Sequence, residues 1–271
     1  MTATVDDANR DYWNELCGTP FARMLGIEDD SAQSLRHYDD WYFDFYPYLA
    51  EEIPFAALAG ERVLEVGLGY GSVSGRLLEA GAKLSALDIA SEPVNMVQHR
   101  AQLLSRECRA VLGSILDAPF EDGEFDAVVG IGSYHHTGDT QRALDETWRI
   151  LRPGGCAYIM VYNAYSYRRW LKDFAVAWRY FAADRLAAGT PVTGHEQARG
   201  QYDRNSKGIA APHTDFFSVR AFRRMTSRWR ELSYRRRNIG SDGPLRHVNR
   251  NLAMTLLGST LGLDVYFRLT K

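Results

Sequence analysis

Three cysteines, Cys17, Cys108 and Cys156, are all that this chain of 271 residues contains. They lie far apart and are odd in number, which argues against a disulfide framework or a cysteine metal knuckle and suits a reducing cytoplasm. Charge of one sign is also lacking: 32 Lys and Arg stand against 34 Asp and Glu, a net charge of −2. Such a balance offers no general attraction to nucleic acid or to an anionic membrane. No apolar run reaches the ~20 residues that cross a bilayer. The best attempt, Leu252 to Leu263, is too short and carries Thr and Ser. The stretch from Met1 to Asp7 is acidic with no apolar segment behind it, unlike a secretory signal. Repeats and low-complexity tracts are missing too. The 45% hydrophobic content is enough to bury the core of one α/β domain with additions.

Against these absences one stretch stands out. The hydrophobic strand Val63-Leu64-Glu65-Val66 runs into Gly67-Leu68-Gly69-Tyr70-Gly71. Glycines permit positive φ and remove side chains where a turn passes beneath a ligand, while Glu65 ends the strand with an acceptor facing the crevice. A dinucleotide loop would require glycine at Ser72, and a triphosphate loop would require a lysine, which does not occur between Gly60 and Ala82. The nicotinamide and triphosphate readings therefore fail; a tight turn with no ligand is the bland alternative. Lys83 to Asp88 reads as a second buried strand, its acid at the interval where such folds bind a ribose. Asp88 also precedes the helix start Ser91-Glu92-Pro93, so it can be a cap. Asp126 to Gly132 is a further strand entering the polar loop Ser133-Tyr134-His135-His136-Thr137. Leu151-Arg152-Pro153-Gly154-Gly155 then closes a helix and opens the strand Cys156 to Tyr162.

These motifs, with Ala118-Pro119-Phe120-Glu121-Asp122-Gly123-Glu124-Phe125-Asp126-Ala127-Val128, resemble the class I S-adenosylmethionine (SAM)-dependent methyltransferases. The motif style is that of the ubiquinone/menaquinone-methyltransferase-like group, type 11, and the resemblance spans about residues 60 to 163. It implies a Rossmann-like α/β fold with a seven-stranded, mostly parallel sheet in the order 3-2-1-4-5-7-6, helices on both faces and an antiparallel last strand. It implies SAM as cofactor, held by Glu65, Gly67, Gly69, Gly71, Asp88, Ile89, Ser114, Ile115, Gly132 and His136. One departure stands in the adenine segment, where Ser114 takes the place of the family's acid. Either Ser114 and Ile115 frame the adenine, or Asp117 reaches it from three residues on.

Beyond that core, residues 1 to 59 read as a helical extension and 60 to 271 as the methyltransferase domain, with 164 to 217 an insertion covering the substrate. In the extension Tyr38, Trp41, Tyr42, Phe45, Tyr46 and Tyr48 crowd one helical segment. They pack the extension onto the core, or Tyr38 and Tyr42 close over the sulfonium. Ala164 to Gly189 reads as one long helix with Trp170, Phe174, Trp178 and Phe181 on a single face. The polar stretch Thr190 to Ala211 is too long for a connector and is read as a lid, with a plain surface loop as the alternative. Leu232 to Arg237 and Leu263 to Leu269 are the sixth and last strands, and the helical segment Pro244 to Gly262 between them is a candidate pocket wall. Arginines from Arg220 to Arg237 are read first as a solvated face, with an anionic substrate or a nucleic acid as the alternatives.

The expected function is methyl transfer to a small-molecule acceptor, lipid-like, quinone-like or another secondary metabolite. Holding the acceptor in line with an activated methyl accounts for ~7 to 11 kcal/mol of barrier lowering, and a general base adds about 10²- to 10⁴-fold where a proton must leave. Base candidates are His135, His136, Tyr162 and His213. No metal is expected: the adjacent histidines lack ligand spacing, and Asp139, Asp145 and Asn163 do not assemble a cation site. Methylation of RNA or protein, SAM binding without methyl transfer, and another reaction on the same fold such as cyclisation are the competing readings. Oligomeric state is left open, a homodimer included. Replacing Gly69 with valine is expected to abolish SAM binding in calorimetric titration, and unchanged affinity would contradict the loop assignment.

Overall fold

The computed structural model describes residues 4–186 and 190–271. Its centre is a seven-stranded sheet: β1 (Arg62–Val66), β2 (Lys83–Asp88), β3 (Cys108–Leu112), β4 (Phe125–Ile131), β5 (Leu151–Tyr162), β6 (Glu231–Arg237) and β7 (Asp264–Thr270). The strand order is β3-β2-β1-β4-β5-β7-β6, as the resemblance implies. The first five strands pair in parallel, and β7 runs antiparallel between β5 and β6. Because successive side chains alternate faces, Leu64 and Val66 of β1 join one core with Val128, Leu144, Phe222 and Phe267. Val63 joins the opposite core with Leu77, Leu84, Val129 and Tyr266. Burial on both faces explains why the central strands read as nearly unbroken apolar runs. Each fully buried leucine there contributes about 2 kcal/mol.

Parallel strands with crossover helices place all their carboxyl ends on one edge of the sheet, and loops diverge there between β1 and β4. The turn after β1 uses positive φ at Gly67, Gly69 and Gly71, and helix Ser72–Glu79 follows at once. Helix Ser91–Leu103 returns the chain from β2, and helix Thr140–Ile150, capped by the Asp139 carboxylate at the Arg142 amide (3.0 Å), returns it from β4.

Several elements differ from the sequence reading, β5 among them, which begins at Leu151 rather than Cys156. Strand β3 was not legible, since its residues are only half-buried and include Arg109. The long helix expected from Ala164 is two, Tyr167–Lys172 and Phe174–Leu186. Its start is delayed because the Asn163 side chain accepts from the Tyr165 amide (3.0 Å), and it breaks at Asp173, whose carboxylate turns to Arg169 at 2.7 Å. Residues 187–189, at the expected end of that helix, lie outside the described residues, as do the first three residues of the acidic N-terminal stretch. Segment 244–262 forms the turn Gly243–His247 and the helix Arg250–Leu261, which packs on β6.

The N-terminal extension holds helices Val5–Trp13, Thr19–Met24 and Ala32–Phe45, the last capped by Ser31. It is fastened to the glycine turn by Arg100, which is 4% exposed. That guanidinium donates to the Tyr70 carbonyl (2.9 Å) and to both Asp39 oxygens (2.7 and 3.0 Å). Beside it the Tyr38 ring stacks on Tyr70 at 4.1 Å. Residue 18 must be glycine, because φ is +102° and a Cβ would strike the Tyr38 hydroxyl. Arg100→Met leaves Asp39 without its buried partner and is expected to lower the unfolding free energy by about 3 kcal/mol. A urea midpoint that stays in place would show the contact to be dispensable.

Candidate active site

A cavity of about 430 Å³ lies at the carboxyl edge of the sheet. Volumes of that order hold small-molecule ligands and cofactors. On one side it is walled by Glu65, Gly67, Gly69, Asp88, Ile89, Ser114, Ile115 and Gly132. Tyr38 and Tyr42 of the extension reach the same space, so the aromatic segment both packs against the core and faces the cavity. Gly71 does not line it; its φ of +77° opens the following helix, and a Cβ there would meet the Arg100 side chain at 2.8 Å. At Gly67 a Cβ would lie 2.3 Å from that of Ser133, whose hydroxyl donates to the Val66 carbonyl at 2.7 Å. The loops after β1 and β4 therefore touch, and their bare backbone forms a cradle. The Ser72 hydroxyl, buried at the cavity wall, has no partner among the described residues. Asp88 accepts from the amides of Leu68 (2.8 Å) and Ala90 (2.9 Å) and still borders the cavity, so capping and a ligand contact are compatible. Ser114 borders it as well, whereas Asp117 does not.

Of the four base candidates, His136 and Tyr162 reach the cavity. His135 does not: it is fully buried behind them, its ring 4.2 Å from His136 and 4.0 Å from Tyr162. His213 is turned away toward Asp215, 3.1 Å from its Nε2, and contributes only its carbonyl, which accepts from His136 Nδ1 at 2.6 Å. With Nδ1 donating, Nε2 of His136 is left facing Asp203 at 3.6 Å. The Tyr162 hydroxyl lies 3.0 Å from both oxygens of the same carboxylate. Asn9 donates to the His136 carbonyl (2.6 Å) and the Trp13 ring packs 4.8 Å from its imidazole. Asp203, Asp264 and Arg168 also line the cavity and were not singled out by sequence. Asp203 lies within the polar run 201–208 read as a lid, which was its only signal; Asp264 resembles an ordinary strand-opening residue. The helix Arg250–Leu261 is not part of the wall; only its flanks, Asn238, Gly240 and Leu263, reach it.

Residues 64–159 match a methyltransferase domain family. The chain is 33% identical over 147 residues to a fatty-acid O-methyltransferase of Mycolicibacterium smegmatis, covering 52% of each. It is 35% identical over 100 residues to a demethylmenaquinone methyltransferase of Clavibacter sepedonicus, covering 37% of this chain and 40% of that protein. A solved SAM-dependent methyltransferase from Mesorhizobium loti superposes with a TM-score of 0.55 over 83% of this chain and 97% of its own, at 13% identity, which speaks for the fold. Residues 64–159 thus carry a methyltransferase domain, and the fold around them is that of the class I SAM-dependent methyltransferases. This chain spans about half, or less, of the length of the curated relatives it matches.

Burial shapes the protonation of the cavity. It raises Glu65 to about 8 despite the Ser74 hydroxyl bonded to it, and raises Asp88 to about 6 against the opposing backbone amides. Burial likewise raises Asp203 and Asp264, the latter to about 7, and lowers His135 and His136. An acid with a raised folded value holds its proton longer in the folded state, so it removes stability as pH climbs from the unfolded value to the folded one. A buried neutral histidine adds stability as pH rises, but that gain is complete near 6.5. Between pH 6.5 and 8 the ligand-free protein is therefore expected to lose thermal stability, chiefly through Glu65. Melting curves across this window check it, and a flat or rising midpoint would contradict the buried, charge-averse cavity.

Proposed function

We propose that the protein transfers a methyl group from SAM to a small-molecule acceptor. Glu65 and Asp88 would meet hydroxyl or ammonium donors of the cofactor, the bare turn at Gly67 and Gly69 would let its backbone approach, and Ser114 with Ile115 would flank the base. The residues fit that group: the cradle leaves no room for a Cβ at Gly67, and the orphan Ser72 hydroxyl waits beside it. When bound, SAM supplies a methyl already activated on a sulfonium. The protein then has to orient the acceptor, exclude water and accept a proton where the acceptor carries one.

The observation that carries this reading is that one cavity is shared by the glycine-turn wall and by the His136, Asp203 and Tyr162 group. Strand β5 sets Tyr162 two strands from β1, and the insertion 164–217 delivers Asp203 to it. Nε2 of the buried His136 faces the buried Asp203 carboxylate across 3.6 Å, beyond direct hydrogen-bond distance. That group is the proton acceptor of the proposed reaction, with Tyr162 holding the carboxylate in place. The extension 1–59 closes the chamber from the other side, as Asn9, Trp13 and Phe21 line it.

A small acceptor is favoured over RNA because the arginine run is engaged within the chain. Arg228 pairs with Asp145 at 2.8 Å, Arg237 with Glu52 at 2.6 Å, and Arg223 and Arg236 lie over Tyr234. Calorimetry with SAM and S-adenosylhomocysteine, followed by incubation with methyl-labelled SAM and a cell extract, tests the proposal. Label is expected in the dialysable fraction, and Asp203→Asn is expected to slow its appearance by about 10²-fold with SAM affinity unchanged. Label confined to RNA or protein, or no transfer at all with intact SAM binding, would overturn it.

A further inference from the structure

The acceptor side of the cavity has an unusual charge inventory. Asp203 and Asp264 both line it, and Asp264 is 2% exposed. Asp203 is answered by a phenol and a histidine, Asp264 by the Asn238 amide at 2.9 Å. Among the described residues neither carboxylate has an arginine or lysine within ion-pair distance. Arg168, the arginine in the same wall, is turned elsewhere: its guanidinium meets Asp242 at 2.9 and 3.2 Å and the Gln201 carbonyl at 2.8 Å. Its field and that of Arg250 act on Asp264 from a distance, alongside the opposing field of Asp203, with no ion pair formed.

Placement separates this pair from the cofactor wall. In the sheet Asp264 sits in register with Tyr162 at the end of β5. Strand β7 is three positions from β1, so ~14 Å divides Asp264 from Glu65 at ordinary strand spacing. Around the two acids stand aromatic rings, Tyr46, Tyr162 and Tyr202, each lining the cavity and each within the field of Asp264. Two buried carboxylates without a cationic partner leave an electrostatic deficit that a positively charged ligand removes, and ring faces add to the attraction. A carboxylic acid placed there would add a third like charge.

Resting on the methyltransferase reading, we propose that the acceptor carries a basic nitrogen, bound as an ammonium between Asp203 and Asp264 against the Tyr46 and Tyr202 rings. An ammonium has to lose one proton before its nitrogen lone pair can take a methyl, and Asp203 is placed to receive that proton. Asp264 then keeps the charge balance of the site.

The test uses the protein saturated with S-adenosylhomocysteine and titrated with matched probes: phenethylamine, tyramine, tryptamine and benzylamine, each beside the alcohol and the carboxylic acid of equal shape. At least one amine is expected to bind about tenfold or more tightly than its alcohol, the scale of one charge-assisted hydrogen bond, with the acids weakest. Asp264→Asn and, separately, Asp203→Asn are expected to erase the preference while S-adenosylhomocysteine still binds. The two variants guard against one of them failing to fold. If no amine exceeds its alcohol counterpart, or if the acids bind best, the proposal is overturned. Loss of S-adenosylhomocysteine binding in the unaltered protein would instead overturn the methyltransferase reading itself.

Discussion

Arg100 is the contact on which the geometry of the cavity depends. Its guanidinium is buried between the glycine turn and the helix Ala32–Phe45, and it engages a main-chain carbonyl on one side and a carboxylate on the other. A charge so placed is tolerable only while every donor is answered, so turn and extension are held in one arrangement. The consequences radiate outward. Gly71 has to lack a side chain because the Arg100 stem passes beneath it, and Tyr70, its carbonyl fixed, offers its ring to Tyr38. Tyr38 in turn demands glycine at position 18. A row of aromatic residues that could belong to any helix is thus oriented toward the cavity by a single cation on a different helix.

The two walls of the cavity are built by different means. The wall around the glycine turn comes from strand ends and the turns that follow them, where backbone direction is set by the sheet and by positive φ. The opposite wall comes from the insertion, the extension and the last strand, brought together by side chains. This division matches the way a common scaffold hosts many reactions: the sheet keeps the shared cofactor, and the added segments choose the partner.

The same division explains what could be read from the sequence. Glu65, Gly67, Asp88 and Gly132 were legible because each is tied to a strand end, and strand ends leave a local pattern of apolar run followed by glycine or acid. Sheet order was legible through the resemblance alone; hydrophobic patterning by itself missed β3, whose faces are half-covered. His135 and His136 look alike in sequence, yet a tight turn at Tyr134–His136 sends one ring into the core and the other into the cavity. Asp203 and Asp264 lie 61 residues apart in sequence and share a site only through the insertion's path, which no local pattern records. The break at Asp173 was hidden for a similar reason, since an aspartate within a helical pattern gives no sign that an arginine four residues earlier will claim it.

The extension and the insertion also hold each other. Glu15 accepts from the amide and hydroxyl of Ser206, at 2.9 and 2.8 Å, and the Tyr12 hydroxyl donates to the Ile209 carbonyl at 3.3 Å. These bonds lie at or near the surface, where each contributes only about 1 kcal/mol. Parting them costs roughly 3 kcal/mol, which corresponds to an open population on the order of one molecule in a hundred. Access to the chamber then depends on how far the extension and the insertion part, independently of the bond-making step inside.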